Sequence, residues 1–220
     1  MKKIFLAFIT FLWAGSLLAN YATVVFIKGD VKDAKNIALK KNQKLPEGTM
    51  INTGTGSFAV LELPFGNKVK VGESSQLKVS KIAPKKNGQT RLALFKGSSF
   101  IKVLKSKLAK GQKSKLILRT RTTAMGVRGT EFFASYGTGK DVWMCVNEGI
   151  VSVRSKTEKK STFVKAGEGI IVKDGSKTSK PKPLKWTKKL NWNMDPASGN
   201  LENKVSIESA YTDLLDQDYD

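Results

Sequence analysis

The stretch Thr122-Thr123-Ala124-Met125-Gly126-Val127-Arg128-Gly129-Thr130-Glu131-Phe132 decides how this chain folds. β-prone runs flank it, Leu116–Leu118 before and Glu131–Tyr136 after. Gly126 and Gly129 bracket Val127-Arg128. Glycine lets the backbone take positive φ or approach another strand closely. Two glycines three residues apart, among β-branched Thr and Val, predict a tight jog that returns the chain to a sheet. Arg128 then sits on a constrained segment. Two roles follow for Gly126, Arg128, Gly129, Thr130 and Glu131. They bind an anion through Arg128 and open backbone N–H groups. Alternatively, Arg128 staples the corner by hydrogen-bonding backbone carbonyls or Glu131, because carbonyls at a non-repetitive corner need donors.

Outward from this stretch, residues 23–172 read as short apolar alternations cut by Gly, Asn and Asp. Val25/Ile27, Val69/Val71, Leu77/Val79, Leu92/Leu94 and Leu116/Leu118 alternate with polar partners. Lys68 and Lys70 are expected to point away from Val69 and Val71. Ala59, Val60, Leu61 and Leu63 are apolar on both faces, which predicts a covered strand. Period two with turn signals at regular spacing argues for an all-β architecture. A weak repeat recurs at Lys28-Gly29-Asp30-Val31, Lys96-Gly97-Ser98, Glu148-Gly149-Ile150-Val151 and Ala166-Gly167-Glu168. Strand–Gly–strand corners of this kind suit stacked short antiparallel strands, either solenoid-like or a sandwich.

The central motif resembles the signature of the FecR domain family, in the residues Val127-Arg128-Gly129-Thr130 with Phe132. The resemblance extends to Val146-Asn147-Glu148-Gly149-Ile150-Val151-Ser152-Val153 and to Val164-Lys165-Ala166-Gly167-Glu168. Upstream it takes in Lys28-Gly29-Asp30-Val31 and the run Asn52 to Leu63, so it covers about residues 23–173. It implies a periplasmic sensing or signalling module. In iron-uptake regulators of this family the domain relays receptor occupancy to a sigma factor. The cytoplasmic region and membrane helix of that layout are not seen here, so sigma-factor regulation is not carried over.

Residues 1–19 read as a signal peptide. Lys2 and Lys3 precede an apolar run from Ile4, and Leu17-Leu18-Ala19 offers a cleavage site. Ser16, where a lipoprotein needs Cys, argues against lipid attachment. The expected division is signal peptide 1–19, β domain 20–174 and a Lys/Pro/Trp-containing extension 175–220 with an acidic end. Pro181 and Pro183 break regular structure there. Trp186 and Trp192 lie among lysines, and two readings stand: docking of the extension onto the domain, or contact with a membrane or glycan. Leu201, Val205, Ile207, Tyr211 and Leu214 have the spacing of a short amphipathic helix.

The net charge is +21, from 39 Lys and Arg against 18 Asp and Glu. Such a chain is drawn to polyanions, although the same lysines also form the solvated face of a sheet. The most concentrated basic segment is a predicted loop holding Lys105, Lys107, Lys110, Lys113 and Lys115. With no nucleic-acid motif and an export signal, nucleic acid is a poor partner. The expected partner is an envelope protein or an anionic envelope polymer, met in the periplasm or at the cell surface.

Catalytic groups are scarce. There is no histidine, which removes the commonest general base and metal ligand. One cysteine, Cys145, allows neither an internal disulfide nor a thiolate metal cage. It lies in a β run and reads as a small buried hydrophobe. No cofactor and no metal are expected. Three functions remain open: a non-catalytic module that binds or senses an envelope component, a structural protein holding anionic polymer, and a glycan enzyme using an acidic pair.

Overall fold

A computed structural model describes residues 20–84, 88–104, 115–137 and 141–203, with the side chains of Lys185 and Trp186 set aside. The signal segment 1–19, the loop lysines Lys105 to Lys113 and the helix expected beyond Asn203 therefore lie outside the described residues.

In chain order the strands are β1 (Tyr21–Lys28), β2 (Val31–Lys32), β3 (Lys44–Pro46), β4 (Met50–Thr53), β5 (Phe58–Leu63) and β6 (Asn67–Val71). They continue with β7 (Gln76–Lys81), β8 (Gln89–Lys102), β9 (Lys115–Arg119), β10 (Thr123–Val127), β11 (Glu131–Tyr136) and β12 (Val142–Glu148). The last are β13 (Ile150–Ser155), β14 (Thr162–Lys165), β15 (Glu168–Lys173), β16 (Lys177–Thr178) and β17 (Lys182–Pro183). Two short 3₁₀ turns, Lys185–Lys189 and Pro196–Ser198, follow.

The strands form two sheets that share β8. The first runs β3-β1-β5-β6-β8-β11-β12-β15, using the second half of β8 and ending on β16 and β17. The second runs β2-β4-β7-β8-β9-β10-β13-β14, using the first half of β8. The two orders correspond. Each pass of the chain enters one sheet, bends at a corner and continues in the other. The result is a stack of bent hairpins with β9 as an extra strand in the second sheet.

The four glycines of the sequence repeat sit where the chain changes sheet, at φ of 71° (Gly29), 82° (Gly97), 86° (Gly149) and 83° (Gly167). Gly149 has a second reason to be glycine: an added Cβ would lie 2.7 Å from the Gly129 carbonyl oxygen. Corners stack on corners there, and no side chain fits between.

One pairing departs from the antiparallel expectation. β8 and β9 are parallel, in register from Gln89 opposite Lys115 to Ala93 opposite Arg119. A parallel pair needs a long return connection, and the two paired segments, Gln89–Ala93 and Lys115–Arg119, are far enough apart in the chain to allow one.

The main core lies between the sheets. Val24, Leu61, Val69, Ile101, Phe132 and Met144 of the first sheet meet Leu77, Leu92, Leu116, Met125, Val151 and Val164 of the second. A second core lies on the outer face of the first sheet, where Val60, Phe100, Phe133, Trp143 and Cys145 are covered by Leu184, Leu190, Met194 and Leu201. The extension is thus a third layer over one sheet, and this explains why β5 is apolar on both faces.

Candidate functional site

The corner after β10 is built as a jog, with the work divided differently from the sequence reading. Gly129 makes the turn, at φ 62°. Gly126 is an ordinary strand residue of β10, paired with Ile117 and Ser152. The staple belongs to Thr130, whose buried hydroxyl reaches the Ile150 carbonyl at 3.2 Å and the Arg128 carbonyl at 3.3 Å. A short β-branched hydroxyl can stay inside a closed corner, whereas a guanidinium keeps its charge in water. Arg128 is exposed.

Arg128 and Glu131 do not meet. Glu131 is buried on the outer face of the first sheet, where Asn147 Nδ2 donates to its Oε2 at 2.6 Å and Lys102 Nζ lies 3.2 Å from its Oε1. Arg128 belongs to the other outer face, beside Gly126. The five corner residues therefore divide into an internal structural set (Gly129, Thr130, Glu131) and a surface pair (Gly126, Arg128). Lys115, at the start of β9, is the one member of the basic segment among the described residues, and it joins that surface pair.

Together these three residues line a groove of about 310 Å³ on the outer face of the second sheet. Cross-strand register explains it. Arg91, Ile117, Gly126, Ser152 and Phe163 lie opposite one another on β8, β9, β10, β13 and β14. Gly126 and Ser152 form a low floor between Ile117 and Phe163. Phe163 is 63% exposed and Ile150 51% exposed. Large apolar groups left in water around a recess are unusual for a surface that stays bare. Gly126 gives this recess its depth. Its φ is not positive, and an added Cβ would meet nothing closer than the Ser152 carbonyl at 3.9 Å. Neither backbone geometry nor packing calls for glycine there.

Charge surrounds the groove. The next row across the same sheet reads Lys78, Ala93, Arg119, Ala124, Arg154. On the other side stand Lys115, Arg128 and Lys165. No outward strand position of this sheet carries Asp or Glu.

The opposite outer face is largely covered, with a smaller recess of about 170 Å³ left beside Phe58, Lys70, Phe100 and Leu201. Lys70, expected to point into water, is buried under the extension. Its ammonium donates to the carbonyls of Asn191 (2.7 Å), Asn193 (3.0 Å) and Leu201 (3.2 Å) and lies 4.4 Å from the Phe100 ring centre. Burial lowers its pKa to about 8, partly offset by the Glu131 charge. Trp192 packs edge-to-face on Phe100 at 5.3 Å and donates its indole N–H to Thr187 O. The docking reading therefore holds for Trp192. Lys28 pairs with Glu202 at 2.7 Å beside the end of this strap. Cys145 lies beneath it, with its thiol pushed up to about 12 by burial. Among the described residues, no three of His, Cys, Asp and Glu gather in a way that could hold a metal ion.

Phe163, Ile150 and Lys70 are not among the candidate site residues that the sequence offers. The first two had a weak signal, an apolar residue at an outward strand position. Lys70 had none.

Fold and corner define a class: a stacked two-sheet β domain whose sheet-changing turn carries Val-Arg-Gly-Thr. Residues 49–152 match the family model described as FecR protein. The stacked architecture continues beyond the match on both sides, from β1 to β15. Two crystal structures of a candidate anti-sigma factor from Parabacteroides distasonis ATCC 8503, at 2.50 and 1.65 Å resolution, share the fold with TM-scores of 0.51 and 0.50. Each is 19% identical and aligns over 61% of this chain and 59% of the other, so the chain spans less than two thirds of those proteins. At that identity the likeness is one of fold. No curated protein matches the sequence.

Proposed function

We propose that this chain is a non-catalytic sensing module of the cell envelope, exported by residues 1–19, that recognises a partner through the outer face of its second sheet. The observation that carries the reading is the unequal treatment of the two outer faces. The first is covered over its middle by the strap, with Lys70 pinning it and only a smaller recess left at its edge. The second is uncovered among the described residues, free of carboxylates at its outward strand positions, and recessed at Gly126. A match to the FecR family model and a fold shared with a candidate anti-sigma factor support a regulatory role over a catalytic one. The missing histidine supports the same reading.

The test is photo-crosslinking in the native cell, with a photo-reactive residue in place of Ser152 in the groove or of Ala197 on the strap. The expected result is a discrete adduct from position 152, absent from position 197. Identical adducts from both, or none from 152, would refute the reading. A periplasmic reporter fused after residue 19 tests export separately, and activity confined to the cytoplasm would remove the envelope assignment.

Retention of an anionic envelope polymer is a second reading, favoured by the row Lys78, Arg119, Arg154. It predicts binding to lipopolysaccharide or wall polymer that falls steeply with salt and ignores the groove.

A further inference from the structure

We infer that the groove over Gly126 takes an acidic segment of a partner protein, with one apolar side chain seated on the glycine and carboxylates paired to the cations on either side. This rests on the proposed role of the second sheet and adds the chemistry of what it recognises. Three features of the groove select that chemistry.

The first is shape. The recess has about 310 Å³, near the small end of the range for ligand sites. Its floor is Gly126 and Ser152, and Ile117, Ile150 and Phe163 rise around it. That is a socket for one side chain. An extended anionic polymer gains nothing from apolar walls. A bilayer is engaged by apolar groups that protrude and reach into it, whereas these surround a hollow.

The second is the placement of charge. Along each strand, outward positions are two residues apart, about 7 Å. Arg119 and Arg154 therefore lie about 7 Å to one side of the row through Gly126, and Lys115, Arg128 and Lys165 a similar distance to the other. Within the Arg119 row the cations fall on alternate strands, with Ala124 between them. Neighbouring strands are about 4.8 Å apart, so these cations are spaced about 10 Å apart along the row. A segment lying across the strands thus meets cations on both flanks and small residues beneath it. With no Asp or Glu at the outward strand positions, a basic segment would meet like charge on both flanks. This is complementarity of the kind that selects partners by charge.

The third is Gly126 itself. A glycine inside a strand weakens it, often where another backbone or a ligand approaches closely. Here the backbone and the packing both leave room for a side chain, so closeness to a ligand is the remaining reason.

The experiment pans a random-peptide display library on the full chain at physiological salt and measures the enriched peptides by fluorescence anisotropy. Vesicles of phosphatidylglycerol in phosphatidylcholine form a parallel arm. The expected peptides are rich in Asp and Glu around a central Leu, Ile or Phe. Gly126→Val should fill the socket and weaken their binding at least about tenfold, with the melting temperature kept or raised. Arg128→Glu should weaken it similarly and flatten its salt dependence. Gly126→Ala, the smaller change, should fall between. Enriched peptides that are neutral or basic would overturn the inference. So would acidic peptides indifferent to Gly126→Val, or vesicle binding that outcompetes the peptides. If Ser152 adducts form in cells but panned peptides are not acidic, the surface reading stands and the acid chemistry falls. If the adducts also fail, both fall.

Discussion

Replacing Lys70 by Met gives the sharpest test of how the third layer is held. The ammonium is buried and donates to three strap carbonyls, those of Asn191, Asn193 and Leu201. A hydrogen bond to a charged group contributes about 1.5–3 kcal/mol. Removing the donor leaves three carbonyls unpaired, but it also relieves the burial of a charge. That burial lowers the pKa from 10.5 to about 8, a penalty of about 3 kcal/mol for the protonated form. Three such bonds less that penalty leave a net loss in Lys70→Met at pH 7 of about 1.5–6 kcal/mol.

The pH dependence isolates the charge. The folded pKa lies below the unfolded one, so between pH 8 and 10.5 the unfolded chain keeps a proton that the folded chain has released. Stability from this group rises with pH across that window and is level below it. From pH 7 to pH 9.5, the wild type should gain about 2 kcal/mol over Lys70→Met. Other lysines and tyrosines titrate in both proteins and cancel in the difference. The assay is urea unfolding followed by tryptophan fluorescence, at both pH values, for both proteins. A deficit that stays within about 0.5 kcal/mol between the two pH values would refute a buried, desolvated ammonium.

Three further outcomes follow from the corners and the core. Thr130→Val should cost about 1 kcal/mol through loss of its hydroxyl contacts with Ile150 O and Arg128 O, and Arg128→Ala should change stability by less than about 0.5 kcal/mol; chemical denaturation that reverses this order would restore Arg128 as the staple. Gly149→Ala should cost about 2–4 kcal/mol, since it combines positive φ with a Cβ on the Gly129 carbonyl. Gly126→Ala should instead gain about 0.5–1 kcal/mol; thermal melts that place both variants on the same side of wild type would contradict the separation of turn glycine from floor glycine. Cys145 should stay unmodified by a thiol reagent at pH 8 in native protein and react at once in denaturant; native-state labelling would mean the strap opens.

Much of the fold was legible because it is written locally. Period-two alternation, turn glycines and the Val-Arg-Gly-Thr motif each depend on a few neighbouring residues, and they led to stacked β hairpins with glycine at the bends. The repeat around Gly29, Gly97, Gly149 and Gly167 was a weak pattern in sequence and proved to mark the passages between sheets. The candidate site was legible only in part. Gly126, Arg128 and Lys115 are legible as residues worth attention, but Glu131, one of the partners open to Arg128, is engaged by Asn147 and Lys102 instead. Arg128 and Glu131 are three residues apart, yet the jog between them sends one to each outer face.

Alternation alone establishes that a strand has two faces and which of them is apolar. It determined that this chain would be a body of short strands bent at glycines, with a single cysteine held as a hydrophobe. It could not determine what covers the second face. Lys70 and Lys78 look alike in sequence, each outward between buried apolar neighbours. Only the return of residues 184–201 across the first sheet buries one and leaves the other half-exposed. The groove is likewise a product of register: Ile117, Gly126, Ser152 and Phe163 are scattered over four strands, and strand pairing alone sets them in one row. Contacts between segments far apart in the chain are chosen by the packing of the whole, so no local pattern announces them.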